Sequence, residues 1–270
     1  MISTTAPDNP WLLDLCCGAG GCSVGYFRAG FNVVGVDADP GVLAHYPFAA
    51  VCADAMAVLD GVPIDDGGFF PAARGVQLDA TGVLDLDRFD VIHASPPCQE
   101  YSITRNAYDA VRTTYPRLVE PMLSWFESDL WSGLWVLENV PGAPLPPGSM
   151  LACGSEWPLS ATDLDGRELR LRRHRLFASN LRLERRGVCG CVEDRRLGRI
   201  GGVYGGGSQD RAADNPRPNR GGYTPDVAVR RDLMGIDWMS IDELSEAIPP
   251  AYAEHVGRQL VDALEARDAA

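Results

Sequence analysis

The 270-residue chain contains no lysine, and all 24 of its basic residues are arginine. Lysine codons are rich in A and T, so a GC-rich genome accounts for the absence; the planar arginine fork, suited to phosphates and base edges, is the functional alternative. Long apolar runs are missing too. No stretch approaches the ~18 apolar residues that span a bilayer, and Met1–Pro10 offers neither a basic nor an apolar leader, so no membrane span and no signal peptide are expected. Cysteine is too sparse for a disulfide scaffold, with eight in a chain of this length. In the reducing cytoplasm expected here, an unusual cysteine is catalytic, metal-bound or buried. Positive charge is also short: the net charge of −13 by itself argues against a nucleic-acid partner, because phosphate binding needs cations.

What is present is ordinary globular composition, 46% hydrophobic and 23% charged. Disordered and fibrous classes are excluded, and the length suits one large domain with or without a small companion. The charge is segregated. Asp165–Arg231 holds 16 arginines against 8 acids, while the remaining residues hold 8 arginines against 29 acids. A segment of net charge +8 thus sits in a surround of −21.

Trp11–Cys16 reads as a strand that runs into the Gly-rich CGAGGCS, and Val24–Ala29 continues at helical spacing. Phe31–Val36 is a second strand ending at Asp37, and Val51–Asp54 a third closing on an acid. This β-loop-α-β-acid order is the front half of a doubly wound α/β sheet, which binds nucleotides at the carboxyl ends of its strands. Gly61–Gly82 reads as a surface excursion. Phe89–Ala94 is the next strand, Leu118–Trp131 a helix and Leu134–Leu137 a buried strand; the irregular stretch from Asn180 to Thr224 precedes short helices at Val227–Gly235 and Ile241–Ala247 and an amphipathic one at Ala251–Ala266.

Four constellations carry chemistry. Gly18, Gly20 and Gly21 let a ligand approach the backbone at a helix start, although Ser23 stands where the dinucleotide fingerprint needs glycine. Asp37 suits two ribose hydroxyls, or serves as a turn acid. Pro96-Pro97-Cys98-Gln99 holds a cysteine at a strand's carboxyl edge, the place for a nucleophile; for the other seven cysteines a buried, inert role is preferred. Glu138, leaving an apolar strand, should be desolvated and so suited to giving up a proton, or else acts as a cap. In LRLRRHRLFAS, strand alternation puts Arg173 and Arg175 on one face, able to meet one anion or to sit on a solvated edge. Cys189-Gly190-Cys191 with Cys153 or His174 invites a zinc reading, but C-x-C lacks a second paired cluster and no metal is expected.

Together these motifs resemble the DNA cytosine-5 methyltransferases, especially the compact phage-encoded members, over nearly the whole chain. DLCCGAGG looks like the motif that holds S-adenosylmethionine, VGVDADP the one supplying the ribose acid, and CADA the one placing an acid near the adenine amino group. The resemblance implies cofactor contacts at Asp14, Leu15, Cys16, Gly18, Gly20, Gly21, Asp37, Ala38, Asp54, Ala55 and Pro96. It implies a catalytic set of Cys98, Glu138, Arg173 and Arg175, and DNA contacts at Gln99, Tyr101, Ser102, Arg105, Tyr204 and Arg211. The chain departs from the family at Leu171, where the paired-arginine motif has glutamine, and at IPPAYAEHVGRQL, which replaces a Gly-Asn-Ser-Val helix start. Pro250, Ala251 and Tyr252 are the candidates for cofactor contact there.

The expected fold is therefore a doubly wound, Rossmann-like S-adenosylmethionine-dependent methyltransferase fold. Its catalytic part spans 1–178 and 226–270, with a small target-recognition region at 179–225. The resemblance implies methyl transfer to C5 of a flipped-out cytosine in double-stranded DNA, through a covalent bond from Cys98 to C6. A monomer in the cytoplasm of a bacterial or phage-infected cell is expected, with no membrane partner. The rival readings are the same chemistry on RNA or with a modified donor, a non-catalytic DNA-binding relative, and a nicotinamide oxidoreductase.

Overall fold

The computed structural model describes residues 8–64, 78–101, 115–204 and 223–269. A seven-stranded sheet is built from β1 (Trp11–Leu15), β2 (Asn32–Asp37), β3 (Ala49–Cys52), β4 (Val91–Ala94), β5 (Leu134–Asn139), β6 (Met150–Cys153) and β9 (His174–Ser179). The order is β3-β2-β1-β4-β5-β9-β6. The first five strands are parallel, and β9 runs antiparallel to both β5 and β6. Strand order reverses at β1, with β2 on one side and β4 on the other, which opens a crevice at their carboxyl ends.

Alternation along the strands feeds two cores. Leu13, Val34, Ile92 and Trp135 face α3 (Ala55–Leu59) and α4 (Val119–Phe126). Leu12, Val33, Val91 and Val136 face α1 (Gly21–Ala29) and α8 (Pro250–Asp268). Helices on both faces of a largely parallel sheet make this the doubly wound α/β fold expected. α1 and α8 cross closely because Gly25 has no side chain: a Cβ there would lie 2.2 Å from the Pro250 carbonyl oxygen.

A second sheet, β10-β8-β7, joins β7 (Ser160–Thr162), β8 (Glu168–Leu171) and β10 (Ile200–Gly201). It packs with α6 (Val227–Met234) around Leu169, Leu171, Val229 and Leu233. Its strands come from both sides of the boundary expected near residue 178.

Several elements differ from the sequence reading. The LRLRRHRLFAS stretch is two strands, not one: β8 belongs to the small sheet and β9 inserts between β5 and β6, so Arg172 and Arg173 form the link between sheets. The helix expected to Trp131 stops at Phe126, where the Ser128 hydroxyl takes the Trp125 carbonyl at 2.6 Å. β5 continues through Glu138 and Asn139, which pair with Phe177 and Leu176. The irregular stretch contains α5 (Cys191–Arg196) and β10. α7 (Ile241–Glu246) matches expectation and carries a reciprocal Ser240–Glu243 cap. No helix among the described residues is long and apolar enough to cross a membrane.

Candidate functional site

The carboxyl ends of β1, β2, β4 and β5 gather most of the expected residues. After β1 the chain turns sharply, with Cys16, Gly18 and Gly20 in left-handed conformation. Gly18 suits that turn, and a Cβ placed on it would meet nothing within 4 Å, so the loop borders open space. Asp37, ending β2, accepts from Gly18 N at 2.9 Å and from Asp39 N at 3.0 Å. It is thus a turn acid, and each oxygen keeps a lone pair for a further partner. Asp54 caps α3 by accepting from Ala57 N at 2.9 Å, beside a shallow hollow that Cys52 and Ile64 also line. Leu15 and Ala55 bury their side chains in the core, leaving their backbone at the crevice. Ala38 accepts through its carbonyl from the Cys52 thiol at 3.7 Å.

Asp14 is fully buried, and its Oδ2 accepts from Ser23 Oγ while its Oδ1 has no hydrogen-bond partner among the described residues. Burial first, then the Asp37 and Glu138 charges, push its carboxyl up to about 7, against the pull of the Ser23 bond. Desolvation first, then the charges of Asp37, Asp14 and Asp54, raise the half-buried Cys16 thiol as well, so three acids act on the loop.

Cys98 follows β4 and Glu138 lies in β5. Burial raises the Cys98 thiol, Arg175 and Arg173 pull it down, and Glu138 and Glu246 push it up, so two charges of each sign act on the sulfur. Burial likewise raises the Glu138 carboxyl above the usual carboxylate range, the direction expected for an acid leaving so apolar a strand; Arg175, Arg173 and a bond from Ser95 oppose it. Arg175 Nε lies 3.1 Å from Glu138 Oε1, close enough for an ion pair although not aligned as a hydrogen bond.

Arg173 does something else. Its two terminal nitrogens donate to the Val203 carbonyl at 3.0 Å and the Ser245 carbonyl at 2.8 Å, so it clamps the segment that follows β10 to α7. Burial, then repulsion from Arg175, lowers it to about 9. The chain changes sheets at Arg173, yet both arginines act on the Cys98 thiol and the Glu138 carboxyl, with Arg175 within ion-pair distance of Glu138. Tyr252 is wholly buried, stacks 4.6 Å from Trp157, and donates to the Arg173 carbonyl at 2.6 Å. Its side chain supports the arginine link from the core.

Residues beyond the expected set complete the site. Asn139 donates to the Pro96 carbonyl at 2.9 Å, tying β5 to the loop that carries Cys98. Burial keeps the Tyr26 hydroxyl protonated, so it donates to His93 Nδ1 at 2.9 Å. Burial pushes His93 down to about 3, so the ring is neutral and its Nε2–H donates to Ser95 Oγ at 2.7 Å. Ser95 in turn acts to lower the Glu138 carboxyl, so a wire of contacts runs from α1 through β4 towards that acid. Asn139 stands beside Glu138 in the sequence and could have been read with it; the wire is tertiary and has no local signal.

Of the expected nucleic-acid contacts, Gln99 donates to Glu246 Oε1 at 3.0 Å, Tyr101 donates to Glu120 at 2.6 Å, and Tyr204 is exposed. Ser102, Arg105 and Arg211 lie outside the described residues. The arginines of Asp165–Arg231 are extensively engaged: Arg167 with Asp163 and Asp165, Arg170 with Asp194, Arg185 with Glu156, and Arg231 with the Met239 carbonyl. A larger hollow of 450 Å³, lined by Trp135, Pro146 and Leu181 among others, lies at the opposite end of the sheet, away from Cys98.

No protein-family model matches the chain, and no curated protein matches it. Among solved structures it is similar to an Escherichia coli prophage protein described as a DNA modification methyltransferase, with 16% identity over 95% of this chain and 99% of that one and a TM-score of 0.48. It is similar also to the Dnmt2 methyltransferase of S. pombe, with 12% identity, 94% and 99% coverage and a TM-score of 0.48. A third is the Entamoeba histolytica methyltransferase EhMeth, with 10% identity, 95% and 99% coverage and a TM-score of 0.45. At such identities the chemistry rests on this chain's own residues.

Proposed function

We propose that the chain transfers the methyl group of S-adenosylmethionine to C5 of cytosine in double-stranded DNA. The observation that carries this reading is the convergence of the Cys98 thiol, the Glu138 carboxyl and Arg175 at the carboxyl ends of β4 and β5, beside the Gly-rich loop after β1. A nucleophile and a proton-holding acid paired in this way suit addition to an electron-poor ring.

The crevice fits this donor. Gly18 leaves the backbone open, Asp14 Oδ1 is buried without a hydrogen-bond partner among the described residues, and Asp14, Asp37 and Asp54 are the acids that act on this loop. Such acids favour the positive sulfonium and ammonium of S-adenosylmethionine and disfavour the pyrophosphate of a nicotinamide dinucleotide. Bound there, the donor supplies an electrophilic methyl group.

The remaining work falls to the chain. Cys98, as the thiolate, adds to C6 of a cytosine turned out of the duplex while Glu138 gives its proton to N3, which makes C5 nucleophilic. After C5 has gained the methyl group, a solvent base takes the C5 proton, the Cys98 sulfur leaves as the thiolate and the N3 proton returns to Glu138, which restores the aromatic ring. The Ser95–His93–Tyr26 wire runs towards Glu138, Asn139 holds the Cys98 loop, and Arg175 sits against the Glu138 carboxylate. Arg173 holds the Val203 carbonyl beyond β10. The region 179–225, together with Gln99, Tyr101 and the expected contacts Ser102, Arg105 and Arg211, is assigned to the duplex.

The test is incubation with isotopically labelled methyl donor and either duplex DNA or RNA, followed by nucleoside mass spectrometry. Labelled 5-methylcytosine in DNA supports the proposal. Label in RNA alone moves the substrate to RNA, and no label in either overturns the enzymatic reading.

A further inference from the structure

Outside the crevice, the fold assembles four soft ligands that the sequence scatters over 39 positions, from Cys153 to Cys191. Cys153 ends β6 and His174 begins β9, and the antiparallel register sets them directly opposite each other. Opposed residues in such a pair project to the same side of the sheet. Cys189 and Cys191 arrive at the start of α5. The Cys153 and Cys191 sulfurs lie 3.1 Å apart, His174 Nε2 lies 3.3 Å from the Cys189 sulfur, and all four ligand atoms fall within 4.8 Å of one another. A second paired cluster, which the C-x-C spacing lacked, is therefore supplied by two neighbouring strands.

We propose that Cys153, His174, Cys189 and Cys191 bind one zinc ion as a structural Cys3His site. With Zn–S near 2.3 Å and Zn–N near 2.0–2.1 Å, the edges of a tetrahedron are about 3.5–3.8 Å, within the span these atoms already occupy. Three thiolates and an imidazole form a soft donor set that selects zinc over magnesium or calcium. Cys153 and Cys191 are buried and the other two are partly so, which suits a closed site without an open coordination position. The surroundings match as well. Ser155 Oγ accepts from Gly190 N at 2.9 Å and lies 3.4 Å from the Cys153 sulfur and 3.8 Å from those of Cys189 and Cys191, a polar contact for each thiolate. The ion would staple the outer strands of the central sheet to α5. It would also fix His174, the residue between the arginine that clamps α7 and the arginine that meets Glu138.

The test is metal analysis of the full chain produced with zinc and dialysed against a weak chelator, alongside cobalt(II) titration of metal-stripped protein. About one zinc per chain is expected, together with the strong visible absorption of tetrahedral thiolate-bound cobalt. The double variant Cys189→Ser/Cys191→Ser should retain less than roughly a tenth of that metal. Because this variant may fold poorly, His174→Cys provides a second reading: it should still bind one ion, with the cobalt spectrum shifted towards four-thiolate coordination. Wild-type protein free of zinc, metal retained in full by the double variant, an unshifted spectrum in His174→Cys, or a Cys153–Cys191 disulfide in protein purified under reducing conditions would each overturn the proposal. None of these readouts depends on methyl transfer.

Discussion

Asp14 and Arg167 carry opposite charges in segments of opposite net charge, yet they differ more in what surrounds them. Asp14 is fully buried, has one oxygen without a hydrogen-bond partner among the described residues, and is pushed up to about 7. Arg167 is half exposed and paired with Asp163 and Asp165. At the strand ends, charge is held under strain in low dielectric, where it is costly and chemically useful. In the basic segment, much of the arginine is matched by nearby acids or carbonyls, so a sum of +8 along the sequence overstates the positive field the folded segment presents. Charge counted along a chain is not charge available at a surface.

This contrast ranks the expected effects of substitution. Cys98→Ala should lower methyl transfer by a factor on the order of 10⁴ or more, with the far-ultraviolet dichroism unchanged. Glu138→Gln should cost roughly 10²–10⁴ in turnover. It also changes the pH profile. Glu138 donates only when protonated, so the wild-type rate should fall as pH rises through its elevated pKa, and the glutamine variant should lose that descending limb; an unchanged profile would remove Glu138 from the proton step. Gly25→Ala forces a Cβ against the Pro250 carbonyl and should cost about 1–3 kcal/mol in denaturant unfolding.

Asp14→Asn tests the buried end of the comparison through stability. The native carboxyl holds its proton up to about 7, whereas the ordinary value is 3.8. Between those pH values the folded state binds more protons than the unfolded one, so wild-type stability declines as pH rises across the window. The variant should therefore gain on the wild type by about 1–2 kcal/mol on going from pH 4 to pH 8, read from thermal melts, while binding the methyl donor more weakly. A constant difference would mean that Asp14 is ionised at no cost. Arg167→Ala tests the other end and should be the smallest change: within about 1 kcal/mol in stability, because exposed pairs contribute little, and little change in DNA affinity. A large loss of affinity would show that this arginine faces phosphate despite its acids.

The parts of the fold that were legible in the sequence are those with a local cause. A short apolar run in WLLDLC and β-branched residues in FNVVGV mark β1 and β2, and Gly-rich punctuation marks the turn between strand and helix. Pro-Pro-Cys and the acid leaving an apolar strand were readable for the same reason. What was missed depends on partners far away in the chain. Nothing in LRLRRHRLFAS signals that Leu171 pairs in one sheet and His174 in another, which leaves Arg173 in the link between sheets and Arg175 in β9. The Ser95–His93–Tyr26 wire needs α1 packed on β4, and the cysteine-histidine cluster needs β6 opposite β9. The bond from the Tyr252 hydroxyl to the Arg173 carbonyl was equally invisible, because an amphipathic pattern locates a helix without saying which hydroxyl ends in the core.

The central claim is that Cys98 is a nucleophile towards a cytosine ring, and covalent trapping tests it most directly. A duplex carrying 5-fluorocytosine cannot lose the substituent at C5, so a chain that adds its sulfur to C6 and transfers a methyl group stays bonded to the DNA. Incubation with S-adenosylmethionine, followed by intact-mass analysis and peptide mapping, should place one oligonucleotide on Cys98 in the wild type and none on Cys98→Ala. A wild-type protein that binds the duplex and the donor yet forms no adduct, or an adduct that persists in the alanine variant, would contradict it.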